Sequence, residues 1–310
     1  MITIDLVTGY LGAGKTTFIQ KYARYLLSQG LHIGIIENDF GAVNVDMMLL
    51  QELEGDSCDI EQIVGGNTCC EWKRRFKTKL IAMAMQGFDR IIVEPSGIYD
   101  VDEFFDVLYE EPVDQWYEIG NVFAIVNAKL DHRLSEPAQY LLASQVANAG
   151  KIVLSNIEDA TEEDVAHTIQ HIQDCMDKFH CSRQFETDIF KKSWSALTEQ
   201  DFCELSQCGV VRSDWEKLWF DQNEAFTSLN FLNVRMTKQE LCNRIGQLMK
   251  DERCGEIFRV KGFLPVEDGW LEINATHEQI KTGPVLNGQE TIIVIGQNLQ
   301  EDAIAPYFNK

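Results

Sequence analysis

Short apolar runs alternate with longer segments of helical periodicity along the first two thirds of the chain. The runs are rich in Ile, Val and Leu, as buried strands are, and they cover residues 2–7, 31–36, 89–94, 121–126 and 151–154. Apolar residues recur with helical spacing in residues 16–27, 136–148 and 161–179. Strands that alternate with helices favour an α/β fold with a doubly wound, mainly parallel sheet.

The pattern changes in the last third of the chain. Strand-like runs follow one another more closely there, at residues 229–234, 257–260, 270–273 and 291–296. A helical segment covers residues 238–251, and a short helix is expected near the terminus. We therefore predict a doubly wound α/β domain over residues 1–222 and a smaller α+β C-terminal domain over residues 223–310.

The turn between the first strand and the first helix fits the phosphate-binding pattern G-x-x-x-x-G-K-S/T. Glycines let the backbone wrap around phosphates, which accept hydrogen bonds from loop amides and from a helix N-terminus. Lys15 is placed to reach the β- and γ-phosphates, and the Thr16 hydroxyl to hold Mg²⁺. The predicted ligands of a nucleoside triphosphate are Gly9, Gly12, Ala13, Gly14, Lys15, Thr16 and Thr17.

Acidic residues end two of the predicted strands, at the edge where parallel sheets bind ligands. Glu94 closes the third run, and we interpret it as a Mg²⁺ ligand, directly or through water. Gly97 would let the backbone approach the γ-phosphate. Glu37 and Asp39 follow the second run and could form a switch loop that faces this phosphate. An Asx-type turn with a glycine stop explains that second segment equally well.

Two adjacent cysteines, Cys69 and Cys70, follow a glycine pair. Thiolates are soft ligands that suit Zn²⁺ or Co²⁺, and the basic helix that follows would favour the ionised thiol. Two cysteines alone rarely complete a tetrahedral site. Taken without context, the pair is better explained as two small buried residues before a solvated basic face.

Two further polar clusters have plain structural explanations beside the functional ones. His167, His171 and Cys175 stand at i, i+4 and i+8 on one predicted helix, a spacing that could present a metal-binding edge. Lone surface histidines are the commoner case. Residues 100–118 carry many acids and no Lys or Arg. This segment most simply forms a solvated surface, and the alternative is a docking face for a basic partner.

Composition narrows the classes of function. The net charge of −22 argues against general nucleic-acid binding, which needs Lys and Arg against phosphates. The sequence has no uninterrupted apolar run of about eighteen residues, and Asp5 falls early, so we predict neither a membrane span nor a signal peptide. A cytoplasmic location is expected. In that reducing compartment the nine cysteines do not predict a disulfide framework.

Together these motifs resemble those of the CobW-type P-loop GTPases, relatives of the urease and hydrogenase metallochaperones UreG and HypB. Beside the phosphate loop, residues 37–41 resemble the family's E-N-E-F-G switch, residues 94–97 its E-x-x-G, and residues 259–263 the R-x-K-G-F/L strand of its C-terminal domain. The resemblance implies GTP hydrolysis coupled to the handling of Zn²⁺, Co²⁺ or a cobalt-containing cofactor. It further implies a catalytic set of Lys15, Glu94, Glu37 and Asp39, and a Zn²⁺ or Co²⁺ site at Cys69, Cys70 and Glu37.

The chain departs from the family pattern at two places. The family loop reads G-C-x-C-C, and Asn67 stands here at the first cysteine, although an amide oxygen is a poor substitute for a thiolate on a soft metal. The guanine motif N-K-x-D aligns with residues 155–158 or, shifted by one, with residues 156–159, and neither alignment keeps the Lys. Asn156 and Glu158 are the predicted base contacts, and we expect only a reduced preference for GTP over ATP.

Three hypotheses of function follow. The leading one is a GTP-binding protein that hydrolyses GTP slowly and acts as a metallochaperone or cofactor-insertion factor for a client metalloprotein or corrinoid protein. The alternative, favoured by Asn67, is a nucleotide-switched interaction protein without metal transfer, for example one that assists a corrinoid enzyme. A weaker third hypothesis is an ATP-using, kinase-like P-loop protein. Homo-oligomerisation is left open, and neither a nucleic-acid nor a membrane partner is expected.

Overall fold

The chain divides into two compact units. The first comprises Met1–Asn38 and Leu50–Trp219, and the second Asp39–Leu49 and Phe220–Lys310. The computed structural model describes residues 1–38, 45–63, 69–131, 133–185, 187–219, 225–266, 269–277, 279–285 and 288–308. Because residues 220–224 lie outside this set, the domain boundary expected after residue 222 stays a prediction.

The first unit is built on a seven-stranded sheet whose described strand pairs are all parallel. Its strands run in the order β3-β2-β4-β1-β5-β6-β7. They are β1 Ile2–Thr8, β2 Ile33–Glu37, β3 Cys58–Gln62, β4 Arg90–Glu94, β5 Tyr117–Asn127, β6 Lys151–Ser155 and β7 Ile189–Phe190. The helices are α1 Lys15–Ser28, α2 Val45–Leu50, α3 Cys69–Met83, α4 Asp102–Leu108, α5 Glu136–Ala147, α6 Glu162–Lys178 and α7 Glu199–Leu205; α2 crosses the division between the units.

The C-terminal region forms a separate five-stranded antiparallel sheet in the order β11-β10-β9-β12-β8. Its strands are β8 Thr227–Leu232, β9 Glu256–Val266, β10 Gly269–Ala275, β11 Ile280–Val285 and β12 Thr291–Gln297. Its helices are α8 Lys238–Leu248 and α9 Glu301–Ile304, and Leu241, Ile245 and Ile304 pack into one apolar cluster with the sheet. The predicted α/β fold with a smaller α+β domain after it is therefore confirmed.

A buried polar cluster ties the centre of the first sheet together. Asp5 of β1 is fully buried and accepts hydrogen bonds from the Tyr22 hydroxyl at 2.8 Å and from the Asn121 backbone N–H at 2.7 Å. The Arg90 Nε lies 2.8 Å from the same carboxylate. Burial raises the pKa of Asp5, and the Arg90 charge opposes that shift. These contacts join β1, β4, β5 and α1, so the strand that leads into the phosphate loop is fixed on both sides.

The acidic segment at residues 100–118 is less exposed than its composition predicts. Asp100 accepts hydrogen bonds from the hydroxyls of Tyr140 and Ser144, at 2.8 and 2.7 Å. Helix α4 buries Phe104, and its Glu103 is only 7% exposed. The interpretation of the whole segment as a solvated surface is therefore wrong. The apolar residues of α4 recur with helical spacing, so one face of this helix packs against the core.

The basic face of α3 is likewise paired rather than simply solvated. Lys73 lies 2.5 Å from Asp106, and Lys77 lies 2.7 Å from Glu110. Ion pairs therefore join the acidic segment at residues 100–118 to the basic helix α3, which begins at Cys69.

Candidate nucleotide-binding site

The loop from β1 to α1 has the conformation that its glycines predict. Gly14 lies directly before α1 with φ of 93°, in the left-handed region that side chains other than glycine rarely adopt. The loop amides and the first turn of α1 lie at the carboxyl end of the central strand. A helix N-terminus at this edge of a parallel sheet favours binding of an anion such as phosphate.

Lys15 and Thr16 are both buried at this loop. Lys15 is 7% exposed, and its Nζ donates a hydrogen bond to the Gly9 carbonyl at 3.1 Å, so the ammonium group is held at the loop itself. The Thr16 hydroxyl donates a hydrogen bond to Glu94 Oε1 at 2.8 Å. The structure therefore brings together Thr16 and Glu94, the two residues predicted to hold Mg²⁺, although 78 positions separate them in sequence.

Glu37 stands beside Glu94 at the same edge of the sheet. Strands β2 and β4 are neighbours, Glu37 is in register with Glu94, and the two residues are only 1% and 2% exposed. The Thr16 hydroxyl and the Glu94 carboxylate are oxygen ligands, which hard cations such as Mg²⁺ prefer. The residues present therefore fit a magnesium ion that accompanies a triphosphate.

The loop after β4 packs tightly on the phosphate loop. A Cβ placed on Gly97 would lie 2.8 Å from the backbone nitrogen of Leu11, closer than such atoms pack. Gln145 holds the Gly97 carbonyl from the other side with an Nε2 hydrogen bond of 3.1 Å. The backbone at Gly97 therefore lies against the phosphate loop only because this residue has no side chain, and its approach to the γ-phosphate stays a prediction.

The segment that leads into the cysteine loop is bonded to the end of β2. The Ile63 N–H donates to the Glu37 carbonyl at 2.9 Å, and the Asn38 side-chain amide donates to the Ile63 carbonyl at 2.9 Å. Asp39, Asn67 and the side chains of Cys69 and Cys70 lie outside the described part of the chain, so their predicted roles stay predictions.

The hypothesis of a metal-binding edge on α6 is not supported. Cys175 is only 2% exposed, whereas His167 is exposed, so the three side chains do not form one edge. Burial raises the pKa of the Cys175 thiol to about 12, which disfavours the thiolate that a metal requires. In the described residues we find no group of three or more His, Cys, Asp and Glu side chains that could hold a metal ion.

The predicted base contacts lie at the end of β6. Ser155 is buried, Asn156 has φ of 53°, and Glu158 is exposed on a short turn at Ile157–Asp159. A left-handed conformation suits Asn better than most residues. The base end of the site is therefore more open than the phosphate end.

Three neighbours of the site were not found by sequence reasoning. Asn38 and Gln145 support the loops through the hydrogen bonds given above. Trp194 lies against the phosphate loop, with its Cη2 atom 2.9 Å from the position that a Cβ on Gly14 would take. Helical or strand periodicity does not predict such contacts. The only sequence signal for Trp194 is weak: it is an aromatic residue soon after the short apolar run Ile189–Phe190.

The chain matches two protein families over most of its length. Residues 3–183 match the family described as CobW/HypB/UreG, nucleotide-binding domain, and residues 232–310 match the CobW C-terminal domain, described as a cobalamin synthesis protein domain. The two matches fall in the same order as the predicted domains.

Curated relatives include two zinc chaperones of Escherichia coli strain K12. The chain is 32% identical to zinc chaperone YjiA over 177 residues, which cover 54% of this chain and 52% of YjiA. It is 26% identical to zinc chaperone YeiR over 171 residues, which cover 55% of this chain and 51% of YeiR. The chain thus matches about half the length of these relatives.

Solved structures that match the chain include the Zn(II)-bound YjiA GTPase from E. coli, with 20% identity and a TM-score of 0.37, covering 100% of this chain and 99% of that one. Another is HypB from Helicobacter pylori in complex with nickel, with 14% identity and a TM-score of 0.41, covering 66% and 84%. Among the described helices, none is long and apolar enough to cross a bilayer.

Proposed function

The chain belongs to the CobW/HypB/UreG nucleotide-binding family, and from this premise we propose that it binds GTP, hydrolyses it slowly and hands a metal ion to a client protein. The observation that carries the nucleotide part is the 2.8 Å hydrogen bond between Thr16 and Glu94 beside the buried Lys15. A hydroxyl, a carboxylate and an ammonium group at a glycine-rich loop support the binding of a triphosphate with its cation.

Catalysis at such a site depends on charge that is positioned before the reaction begins. Lys15 neutralises the β- and γ-phosphates, and Thr16 and Glu94 hold the magnesium ion. Bound Mg²⁺ supplies further positive charge that stabilises the leaving phosphate. Glu37, buried beside Glu94, and Asp39 belong to the switch segment that senses the γ-phosphate.

We further propose that the metal cargo is Zn²⁺ and that Cys69, Cys70 and Glu37 hold it. The names of the relatives YjiA and YeiR as zinc chaperones support the choice of metal. The hydrogen bonds between Ile63 and the end of β2 support the coupling, because they join the segment before the cysteine loop to Glu37. A change of β2 on γ-phosphate binding would therefore be transmitted to the metal ligands.

The sharpest test combines nucleotide and metal titrations by calorimetry. Wild type is titrated with Zn²⁺ in the presence of GDP or a non-hydrolysable GTP analogue, and the expected result is a nucleotide-dependent Zn²⁺ affinity. Proton release should accompany binding, since thiols ionise when they ligate a metal. The variant Cys69→Ser/Cys70→Ser should lose most of the affinity, whereas the matched control Cys203→Ser/Cys242→Ser, which alters two cysteines of intermediate exposure, should keep it.

The second candidate function is a nucleotide switch without metal transfer, and Asn67 favours it. Replacement of a thiolate by an amide oxygen removes a strong soft contact and lowers the expected Zn²⁺ affinity. If the Cys69→Ser/Cys70→Ser variant binds Zn²⁺ as well as wild type does, the cysteines are structural and this second function is the better one. The variant Asn67→Cys should strengthen binding if the metal site is real.

A further inference from the structure

An indole ring, that of Trp194, lies beside the phosphate loop. Strands β6 and β7 are parallel neighbours, with Val153 opposite Phe190, so the loops after them open at the same edge as the phosphate loop. Trp194 lies four positions after the end of β7, in a short turn at Trp194–Ala196. Trp194 therefore approaches the site from the loop after β7, which neighbours β6, the strand that precedes the predicted base contacts.

The ring edge of Trp194 lies against the phosphate loop. A Cβ on Gly14 would meet Trp194 Cη2 at 2.9 Å and Cζ3 at 3.5 Å, and would meet the Ser155 Cβ at 3.7 Å. Gly14 directly precedes α1, and Ser155 ends β6. The indole is thus adjacent to the residue before Lys15, and that residue in turn lies close to the strand that leads to Asn156.

The turn that carries Trp194 is held in place from both sides. Before it, Lys192 Nζ lies 2.5 Å from Asp201, and Thr198 and Asp201 form a capping box at the start of α7. Beyond it, α7 packs on α1, since the rings of Phe202 and Tyr25 lie 5.6 Å apart. The position of the indole is therefore fixed by elements of the fold and not by the turn alone.

Trp194 is only partly buried. The residue is of intermediate exposure, although its Nε1 is buried. Phe18 supports the ring from α1 at 6.4 Å between centroids, with the planes tilted by 56°. A partly exposed indole ring beside a phosphate loop suits contact with a flat heteroaromatic ligand.

We propose that Trp194 is the stacking platform for the nucleotide base, and that the site therefore selects purines over pyrimidines by stacking. Stacking on an aromatic side chain tolerates any base but is stronger for the larger purines. The exposed Glu158 contributes less because water competes for its carboxylate. This inference rests on the proposed binding of a triphosphate at the phosphate loop. It predicts a modest preference for purines over pyrimidines and weak discrimination between GTP and ATP.

The test measures binding of four competitors against a labelled GTP analogue: GTP, ATP, CTP and inorganic tripolyphosphate. Wild type should bind GTP and ATP more tightly than CTP by a modest factor. The variant Trp194→Leu should weaken both purine nucleotides by about tenfold and tripolyphosphate by less than about twofold, because the phosphate ligands are untouched. The variant Trp194→Phe keeps an aromatic face and should retain most of the purine affinity. Trp219→Leu, which alters a tryptophan that is 93% exposed, is the matched control.

Three outcomes would overturn the inference. Unchanged GTP affinity in Trp194→Leu would remove Trp194 from the base site. Equal weakening of GTP and tripolyphosphate would make the indole a support of the phosphate loop. If the leucine variant fails to fold, Trp194→Phe takes its place. Phenylalanine still offers an aromatic face, so complete loss of the purine preference in Trp194→Phe would contradict stacking. If wild type binds GTP and tripolyphosphate with no measurable affinity, the proposed function itself fails, and that result is distinct from the others.

Discussion

The two ends of the candidate nucleotide site are built differently. At the phosphate end, Lys15, Thr16, Glu37 and Glu94 are all less than 9% exposed, and hydrogen bonds and strand pairing join elements on both sides of β1. At the base end, Glu158 is exposed and the Lys of the guanine motif is absent from either alignment.

The difference in burial between the two ends indicates which of them should supply most of the affinity for the nucleotide. Electrostatic contacts are strong where water is excluded, and exposed charges are screened. The buried phosphate end should therefore supply most of the binding free energy, whatever the base. The base end should contribute mainly through contact with the base, and mutations there should weaken binding less than loss of Lys15 does.

The largest effect is expected from Lys15→Ala. Removal of the ammonium group that lies 3.1 Å from the Gly9 carbonyl takes away a positive charge fixed at the phosphate loop. Loss of one such preorganised group typically costs about 10²–10³-fold, so we expect hydrolysis to fall by at least about 100-fold and triphosphate binding to weaken strongly. Phosphate release and equilibrium binding measure the two effects. Lys21→Ala, on the same helix, serves as the control, and wild-type turnover in Lys15→Ala would refute the phosphate site.

The second effect concerns magnesium. Thr16→Val keeps the shape of the side chain but removes the hydroxyl that donates to Glu94 at 2.8 Å. We expect the gain in GTP affinity on addition of Mg²⁺ to fall by about tenfold, since the cation loses one of its oxygen ligands. The measurement compares binding with Mg²⁺ and with a chelator in both proteins. Thr78→Val, an exposed threonine on α3, should keep the full magnesium effect. An undiminished effect in Thr16→Val would assign the cation to other ligands.

The contrast between the two ends also explains how far sequence alone could predict this molecule. A continuous apolar strand such as Arg90–Glu94 is recognisable from its sequence, and the phosphate-binding pattern lies within a few consecutive residues. The fold class and the placement of Thr16 near Glu94 could therefore be predicted from the sequence. Strand β7 has only two residues, Ile189–Phe190, and no periodicity can identify it. Because Trp194 reaches Gly14 only through the pairing of β7 with β6, that contact could not be predicted either.

The third effect tests the contact between the two loops of the phosphate end. A methyl group on Gly97 would overlap the Leu11 backbone nitrogen, which cannot move as a flexible side chain would. Overpacking of this kind typically costs about 1–3 kcal/mol. We therefore expect Gly97→Ala to weaken binding of a GTP analogue by about tenfold, as measured by titration. Gly55→Ala is the matched control, because a Cβ there meets nothing within 4 Å. Equal effects of the two substitutions would mean that the close approach has no role in binding.

The smallest effect is expected at the base end, where restoring the guanine motif should sharpen selectivity. The first alignment is tested by Ser155→Asn/Asn156→Lys/Glu158→Asp, and the second by Ile157→Lys, which leaves Asn156 and Asp159 in place.

In the structure Ser155 is the buried last residue of β6, which favours the first alignment, but Asn156 has φ of 53°. A Lys there would be strained, because residues other than Gly, Asn and Asp avoid the left-handed region. We therefore expect Ile157→Lys, free of this cost, to raise the ratio of GTP to ATP affinity by about threefold, a coupling of roughly 0.6 kcal/mol. Competition titration of both variants decides between the alignments. A larger gain in the GTP-to-ATP affinity ratio in the triple variant would contradict this expectation. It would show that the spacing of the motif from β6, rather than backbone strain at residue 156, controls recognition of the base.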